Sequence, residues 1–301
     1  MRIVFTTHFN SSYILQGVSL IDSIIRVYPE HKIYVSLLDD LSEKIVKEHY
    51  RDYSNIFFDH GLIRKILEKR LKNNGKLSEV IFALKPLLIR AAMDRIEADK
   101  YFYCDADLYF FNKYQFNTGT EDIFLTEHLF CNSLQSHLVY GKFNGGLIGF
   151  SKTPDAVKCL EWWAERCEES TQNTPEKGIV GDQKYLETFP SIAKNHKSVK
   201  SLALNQSVWT FDNSSLVQEG PIINGVLVDC YHFHRIKIFK RVFKTGINQY
   251  GRFKTRREVF NYIYKPYLEK LAINRDILGQ TIGAKQGFSL SDIKRFEWTW
   301  R

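Results

Sequence analysis

The sequence predicts an α/β fold built on a mostly parallel sheet with helices on both faces. Three observations carry this. Short apolar runs rich in β-branched and aromatic residues alternate with segments of helical periodicity, and polar residues collect where the apolar runs end. The third is bulk: 301 residues, 44% hydrophobic and 14% aromatic, suffice for a substantial core. One large domain, or a domain with a C-terminal extension, is expected; no apolar stretch approaches the roughly 20 residues that span a bilayer.

The first strand is RIVFTTHF (2–9), followed by a helix near 12–28 with Leu15, Val18, Ile21 and Ile25 on one face. KIYVSLLDD (32–40) is the second strand; a polar, Lys-rich helical stretch then reaches to about residue 72, and NNGK (73–76) reads as a turn. A helix near 79–97 leads into the strand KYFYCDAD, and DIFLTEH (122–128) and GGLIGF (145–150) supply two more. Thr153-Pro154-Asp155 starts a helix, with Thr as N-cap and Pro at the first helical position. That helix carries Val157, Leu160, Trp163 and Cys167 on one stripe. VKSLALN (199–205) and GVLVDCYHF (225–233) are the last strands; beyond about 236 the sequence reads as helical, basic and aromatic. The expected division is 1–235 and 236–301.

The net charge of +8 is concentrated late in the chain. Between Arg235 and Arg257 there are nine Lys or Arg and no Asp or Glu. Such a patch suits an anionic partner, a phosphorylated ligand, an acidic bilayer surface or nucleic acid. Five scattered cysteines without a Cys-x-x-Cys pair read as reduced thiols, and the opening RIVFTT lacks the features of a secretory signal, so a cytoplasmic protein is expected. The sequence has no P-loop, no dinucleotide-binding glycine fingerprint, no Gly-x-Ser-x-Gly elbow and no zinc-finger or RNA-binding signature.

Ligands of open α/β sheets bind beyond the carboxyl ends of the strands. At one such end lies YFYCDADLYFF, where Asp105 and Asp107 flank a single residue. Unpaired carboxylates are costly to desolvate, and a hard cation such as Mg²⁺ or Mn²⁺ would compensate them and bind a diphosphate. A solvated turn is the bland alternative. His232 and His234 alternate along a strand toward one side, and Mn²⁺ accepts imidazole. Asn144, before Gly145-Gly146, suits sugar hydroxyls, with glycine permitting close backbone approach; a tight turn is the alternative. Asp182 and Gln183 follow Gly181 at a loop-to-helix junction, where Asp182 would also serve as an N-cap. Lys85 and Arg90 lie upstream of the acidic pair, within reach of a diphosphate or on a helix surface.

In this order, RIVFTTHFN, YFYCDADLYFF, KFNGGLIGFSKTP, CLEWWAERC, GDQKYLETFP and CYHFHRIK resemble a GT-A-fold glycosyltransferase, nearest to glycosyltransferase family 8 and related bacterial enzymes of surface-polysaccharide synthesis. The resemblance covers roughly residues 1–240. It implies a Rossmann-like nucleotide-sugar domain that uses a divalent cation, usually Mn²⁺. It assigns Asp105 and Asp107 to the metal-binding Asp-x-Asp, and His232 or His234 to the late metal ligand. Thr6, Thr7 and Asn10 fall at the nucleotide base, and Lys85 and Arg90 at the ribose or diphosphate. Asn144, Asp182 and Gln183 fall around the transferred sugar, and Gly145 among the residues that bind the donor. Two departures stand out: His8 replaces an Asp that reads uracil, and HFHRIK replaces His-x-x-Gly-x-x-Lys, leaving Lys237 or Lys240 for the diphosphate lysine. The implied partners are a nucleoside diphosphate sugar and a saccharide or lipid-linked acceptor, not nucleic acid. The basic C-terminal region would make peripheral contact with an anionic membrane at its inner face. A sugar-phosphate nucleotidyltransferase and a non-catalytic nucleotide-sugar- or polysaccharide-binding protein are the competing readings. The nucleotidyltransferase should carry a Gly-rich basic first loop, and FTTHFNSS is not one.

Overall fold

The computed structural model describes residues 1–72, 77–116, 119–169, 173–174, 179–239, 242–279 and 299–300. Its first seven strands are β1 (Ile3–Phe9), β2 (Lys32–Leu37), β3 (Ile56–Phe58), β4 (Lys100–Cys104), β5 (Leu108–Phe110), β6 (Ile123–Glu127) and β7 (Phe143–Ser151). Helices α1 (Ile14–Val27), α2 (Asp40–His49), α3 (Leu62–Lys72), α4 (Leu77–Phe82), α5 (Lys85–Arg95) and α6 (Pro154–Glu169) connect or follow them. Six of these strands and His196–Val199 make a seven-stranded sheet, ordered His196–Val199, β6, β7, β4, β1, β2, β3. Only β7 runs antiparallel to its neighbours; every other pair is parallel.

Side-chain alternation assigns each strand to two cores. Val4, Tyr34, Tyr101, Tyr103 and Ile148 meet α3, α5 and α6 through Ile63, Leu88 and Trp163. Phe5, Val35, Phe102, Cys104 and Leu147 meet α1 and α2 through Val18, Ile21 and Val46. Buried on both faces, these strands read as near-continuous apolar runs. A third core joins Leu15 to Val208, Phe211, Phe233, Tyr267 and Leu271.

The structure departs from the sequence expectations at several joints. β3 interrupts the stretch read as helix from 40 to 72. The expected helix at 79–97 breaks between α4 and α5, where Pro86 lacks the N–H that a continuous helix would need. VKSLALN divides between His196–Val199 and Leu204–Gln206, and GVLVDCYHF between Val226–Leu227 and Cys230–His232. The segment after 236, expected to be helical, opens with a hairpin of Lys237–Phe239 and Val242–Lys244 before helices Arg256–Val259 and Lys265–Leu278. NNGK (73–76) and Lys240 lie outside the described residues.

One small sheet positions the chemistry. After β4 the chain turns at 105–107 and returns as β5, which pairs antiparallel with Cys230–His232; that strand in turn pairs with Leu204–Gln206. The register sets His232 opposite Leu108, one residue past Asp107.

Candidate active site

Asp105 and Asp107 occupy the turn between β4 and β5, so they divide between two clusters. Leu108 N donates to Asp105 O at 3.0 Å, and Asp105 N donates to Gly146 O at 2.9 Å, tying the turn to β7.

The first cluster surrounds Lys85, which the break before α5 turns inward and buries. Its Nζ lies 3.2 Å from Asp105 Oδ1, 3.2 Å from Asp182 Oδ2 and 3.2 Å from Gly145 O. Burial disfavours the ammonium, but Asp105 and Asp182 outweigh it and the Lys85 pKa rises. One cation serves two carboxylates. Burial therefore raises the Asp182 pKa, Lys85 draws it back only in part, and Asp105 adds to the rise. Tyr103 donates its hydroxyl to Asp105 Oδ1 at 2.8 Å.

The second cluster is Asp107, His232 and His234, whose ligand atoms all lie within 4.8 Å of one another. Both histidines therefore reach the site. His232 Nε2 stands 3.1 Å from Asp107 Oδ1, and burial of the imidazolium is outweighed by that carboxylate, which raises the His232 pKa. Burial pushes the Asp107 carboxyl up, and His232 more than reverses it. Burial, then the neighbouring His232 charge, holds His234 down to about 4.

Asn205 fixes which His232 nitrogen faces the cluster. Its Nδ2 donates to Thr126 Oγ1 at 2.7 Å, so its Oδ1 accepts from His232 Nδ1 at 3.1 Å. That leaves Nε2, which faces Asp107 Oδ1, as the nitrogen whose proton a cation would displace, with Asn205 as the outer-shell partner typical of histidine ligands. Asp107, His232 and His234 would offer one carboxylate and two imidazole donors to a divalent cation. The residues present fit a divalent cation.

The remaining expected residues are distributed as follows. Asn144, Gly145 and Gly146 lie inside β7, not in a turn before it. Asn144 Oδ1 accepts from Gly146 N at 2.8 Å and its Nδ2 donates to Asn205 O at 3.4 Å, so the amide braces the strand. A Cβ on Gly146 would sit 2.8 Å from the His232 ring. Asp182 is an ion-pair partner of Lys85, not an N-cap. Gln183 accepts from Gly145 N at 3.0 Å and donates to Tyr140 O at 2.8 Å, which makes it a clamp on β7. Thr6 and Thr7 are buried in β1, and neither hydroxyl has a protein partner among the described residues; the same holds for His8 Nδ1. Asn10 Oδ1 accepts from Ser12 N at 3.1 Å. Arg90 is not brought to the Lys85 cluster: it pairs with Asp94 and Glu161 on the outer side of α5 and α6. Lys237 is a partly buried residue of the C-terminal hairpin.

Sequence reasoning missed Asn205, at a left-handed φ of 55°, and Tyr13, whose hydroxyl pKa is raised by burial and by Asp107 and Asp105. Neither sits in a motif. The Asn205 contact depends on two strands meeting in space.

No protein-family model matches the sequence. Two Bacillus subtilis (strain 168) proteins, both described as uncharacterized, are similar along most of their length. YfnF is 25% identical over 288 residues, 90% of this chain and 92% of that protein. YfnD is 25% identical over 279 residues, 89% and 88% respectively. Among solved structures, the apo form of the glycosyltransferase GlyE from Streptococcus pneumoniae TIGR4 superposes with a TM-score of 0.52 at 16% identity. The match covers 92% of this chain and 64% of GlyE, so the chain spans just under two thirds of that protein's length. At this identity the likeness is one of fold, and the chain carries the GT-A architecture.

Proposed function

We propose that the protein is a metal-dependent glycosyltransferase that moves a sugar from a nucleoside diphosphate sugar to a hydroxyl acceptor, in bacterial surface-polysaccharide or glycolipid synthesis. The observation that supports this most is the meeting of Asp107, His232 and His234 beside the Lys85–Asp105–Asp182 cluster, at the carboxyl end of the parallel sheet. Asp107, His232 and His234 would hold the cation, Mn²⁺ on donor chemistry; when bound, it supplies positive charge to a departing diphosphate. Lys85 holds Asp105 and Asp182 in fixed positions and adds a buried positive charge next to Gly145. Gly146 lets β7 pack directly against His232 and Asn205, which occupy the space a Cβ would take. Thr6, Thr7 and Asn10 line the end of β1 with hydroxyl and amide groups for the nucleotide. The basic C-terminal residues Arg252, Lys254 and Arg257 are exposed and suit an anionic acceptor or membrane inner face.

The test is to supply purified protein with Mn²⁺ and a panel of nucleoside diphosphate sugars, and to follow release of the nucleoside diphosphate. Release that collapses at least about a hundredfold in Asp107→Ala is expected. No release and no binding of any donor would sink the reading. Pyrophosphate release from a nucleoside triphosphate and sugar phosphate would favour the nucleotidyltransferase instead.

A further inference from the structure

Three consecutive large apolar side chains stand in solvent beside the candidate site. Leu138, Val139 and Tyr140 are 40%, 42% and 37% exposed and end the 3₁₀-helix Asn132–Tyr140 in the β6–β7 connection. Single exposed apolar residues are normal, whereas a run of three marks a surface that something covers. We propose that this lip, with the basic residues beside it, docks the protein on an anionic lipid bilayer. What docking achieves rests on the transferase reading above: it turns the mouth of the site to substrates held at the lipid surface.

Charge selects the occupant. Residues 128–144 contain no Asp or Glu, and neither do residues 235–257. The two segments meet where the His137 ring lies edge-on to Tyr250, with centroids 5.5 Å apart. Burial raises the Tyr250 hydroxyl pKa, Arg235 draws it down and Tyr140 adds to the rise, so both segments bear on that hydroxyl. Arg235, Arg252, Lys254 and Arg257 are exposed, and none forms an ion pair among the described residues. Lys142 is not counted with them, because it pairs with Glu127 at 3.1 Å.

Uncompensated cations around an apolar run match an anionic headgroup layer above its acyl boundary. The cations are drawn to the surface charge, Leu138 and Val139 enter the boundary, and tyrosine favours the headgroup level. A nucleic acid would engage the cations but leave the lip in water. An apolar protein groove would take the lip and leave the cations unmatched.

Lip and basic rim are each tied to one of the two clusters. Gln183 Nε2 donates to Tyr140 O at 2.8 Å, and its Oε1 accepts from Gly145 N, beside Lys85. Arg235 directly follows His234 and holds a left-handed φ of 62°, which residues other than glycine rarely adopt. The molecule also supplies a control. Lys65, Lys69 and Lys72 of α3 are exposed and unpaired among the described residues. α3 follows the edge strand β3, whereas the lip joins β6 and β7 near the other edge of the sheet.

The test is co-sedimentation with vesicles of phosphatidylcholine alone or of equal parts phosphatidylglycerol and phosphatidylcholine. Wild type is compared with Leu138→Ser/Val139→Ser, Arg252→Glu/Lys254→Glu and Lys65→Glu/Lys69→Glu; all these positions are exposed, and melting curves check that the variants fold. Binding at least about tenfold tighter to the mixed vesicles is expected. It should weaken about tenfold or more in the lip and rim variants and less than about twofold in the α3 variant. No binding, equal binding to both vesicles, undiminished binding in the lip variant, or an equal loss in the α3 variant overturns the docking surface. A wild-type dimer in light scattering that the lip variant dissolves gives the lip to a second copy and overturns it too. Nucleoside diphosphate binding with Mn²⁺, measured without vesicles, reports on the transferase reading. A protein that binds the nucleotide but no vesicle loses only the docking surface, and one that binds vesicles but no nucleotide loses only the transferase reading.

Discussion

Lys85 shows how much of the site depends on single buried charges. It is 3% exposed and is the shared partner of Asp105 and Asp182. Removing one member of a buried ionic group leaves its partners uncompensated, which costs about 3–5 kcal/mol. Lys85→Met should therefore lower the urea midpoint severely. Adding Asp182→Asn should restore about 1–2 kcal/mol, because the neutral amide needs no counter-charge. Equal loss in the single and double variants would mean that Lys85 acts through packing alone. The glycine pair separates fold from function in another way. A Cβ on Gly146 would lie 2.8 Å from His232 Cε1 and Nδ1 and 2.9 Å from Asn205 Oδ1, whereas one on Gly145 meets its nearest atom, Lys85 Nζ, at 3.5 Å. Gly146→Ala should cost about 1–3 kcal/mol by overpacking and, by displacing the Asn205–His232 pair, weaken Mn²⁺ binding about tenfold or more. Gly145→Ala should cost under about 1 kcal/mol. Calorimetric titration with Mn²⁺ beside thermal melting checks both, and undiminished Mn²⁺ affinity in Gly146→Ala would remove the supporting role given to Asn205.

At the scale of elements, local chemistry set the order of strands and helices, and those were legible. Buried strands announce themselves as apolar runs, and Thr153-Pro154-Asp155 marks the start of α6. What the sequence hid were short pieces whose existence depends on a partner. β5 and β3 have three residues each; β5 is stabilised by pairing with Cys230–His232, far along the chain, and β3 by pairing with β2 across α2. Asp105, Asp107, His232 and His234 were legible as chemistry, because carboxylates and imidazoles at strand ends need a reason. Their division into two clusters was not, because it follows from the reversal at 105–107. Arg90 was open between a diphosphate and a helix surface, because helical periodicity does not tell which side of α5 faces the sheet end; its pairs with Asp94 and Glu161 put it on the outer side. Asp39 shows how an element end also serves the site. Its Oδ1 caps α2 by accepting from Ser42 N at 2.8 Å, while its Oδ2 accepts from Ser11 N at 2.8 Å in the loop that follows β1. Asp39→Ala should cost about 1–2 kcal/mol and Asp39→Asn about half of that, since an amide retains one acceptor. Nucleoside diphosphate affinity should fall in parallel, as the loop after β1 loses its tether. An Ala variant that melts like the wild type would show that the cap is redundant.

For the whole molecule, the boundary expected at 235/236 crosses the third core. Phe233, the residue between the two histidines, stacks on Tyr267 of the C-terminal helix with centroids 3.8 Å apart and planes at 16°. That helix is also fastened to α1: Asn274 Nδ2 donates to Ser19 Oγ at 3.0 Å, and Lys270 Nζ lies 2.8 Å from Asp22 Oδ2. Phe233 N in turn donates to Asp107 O at 2.9 Å, so the helix supports the segment that carries His232 and His234 and, through it, the turn that carries Asp107. A chain cut after residue 235 would expose Tyr231, Phe233 and Leu15, each 0% exposed in the intact protein, and lose about 1.5–3 kcal/mol for each such side chain. Marginal stability cannot absorb losses of that size. The full chain should therefore melt in one transition by calorimetry. The 1–235 fragment should aggregate or remain unfolded, and should bind no Mn²⁺ even where soluble. A fragment that melts cooperatively and binds Mn²⁺ as the intact protein does would establish residues 236–301 as a separate unit and remove Tyr267 from the support of the cation cluster.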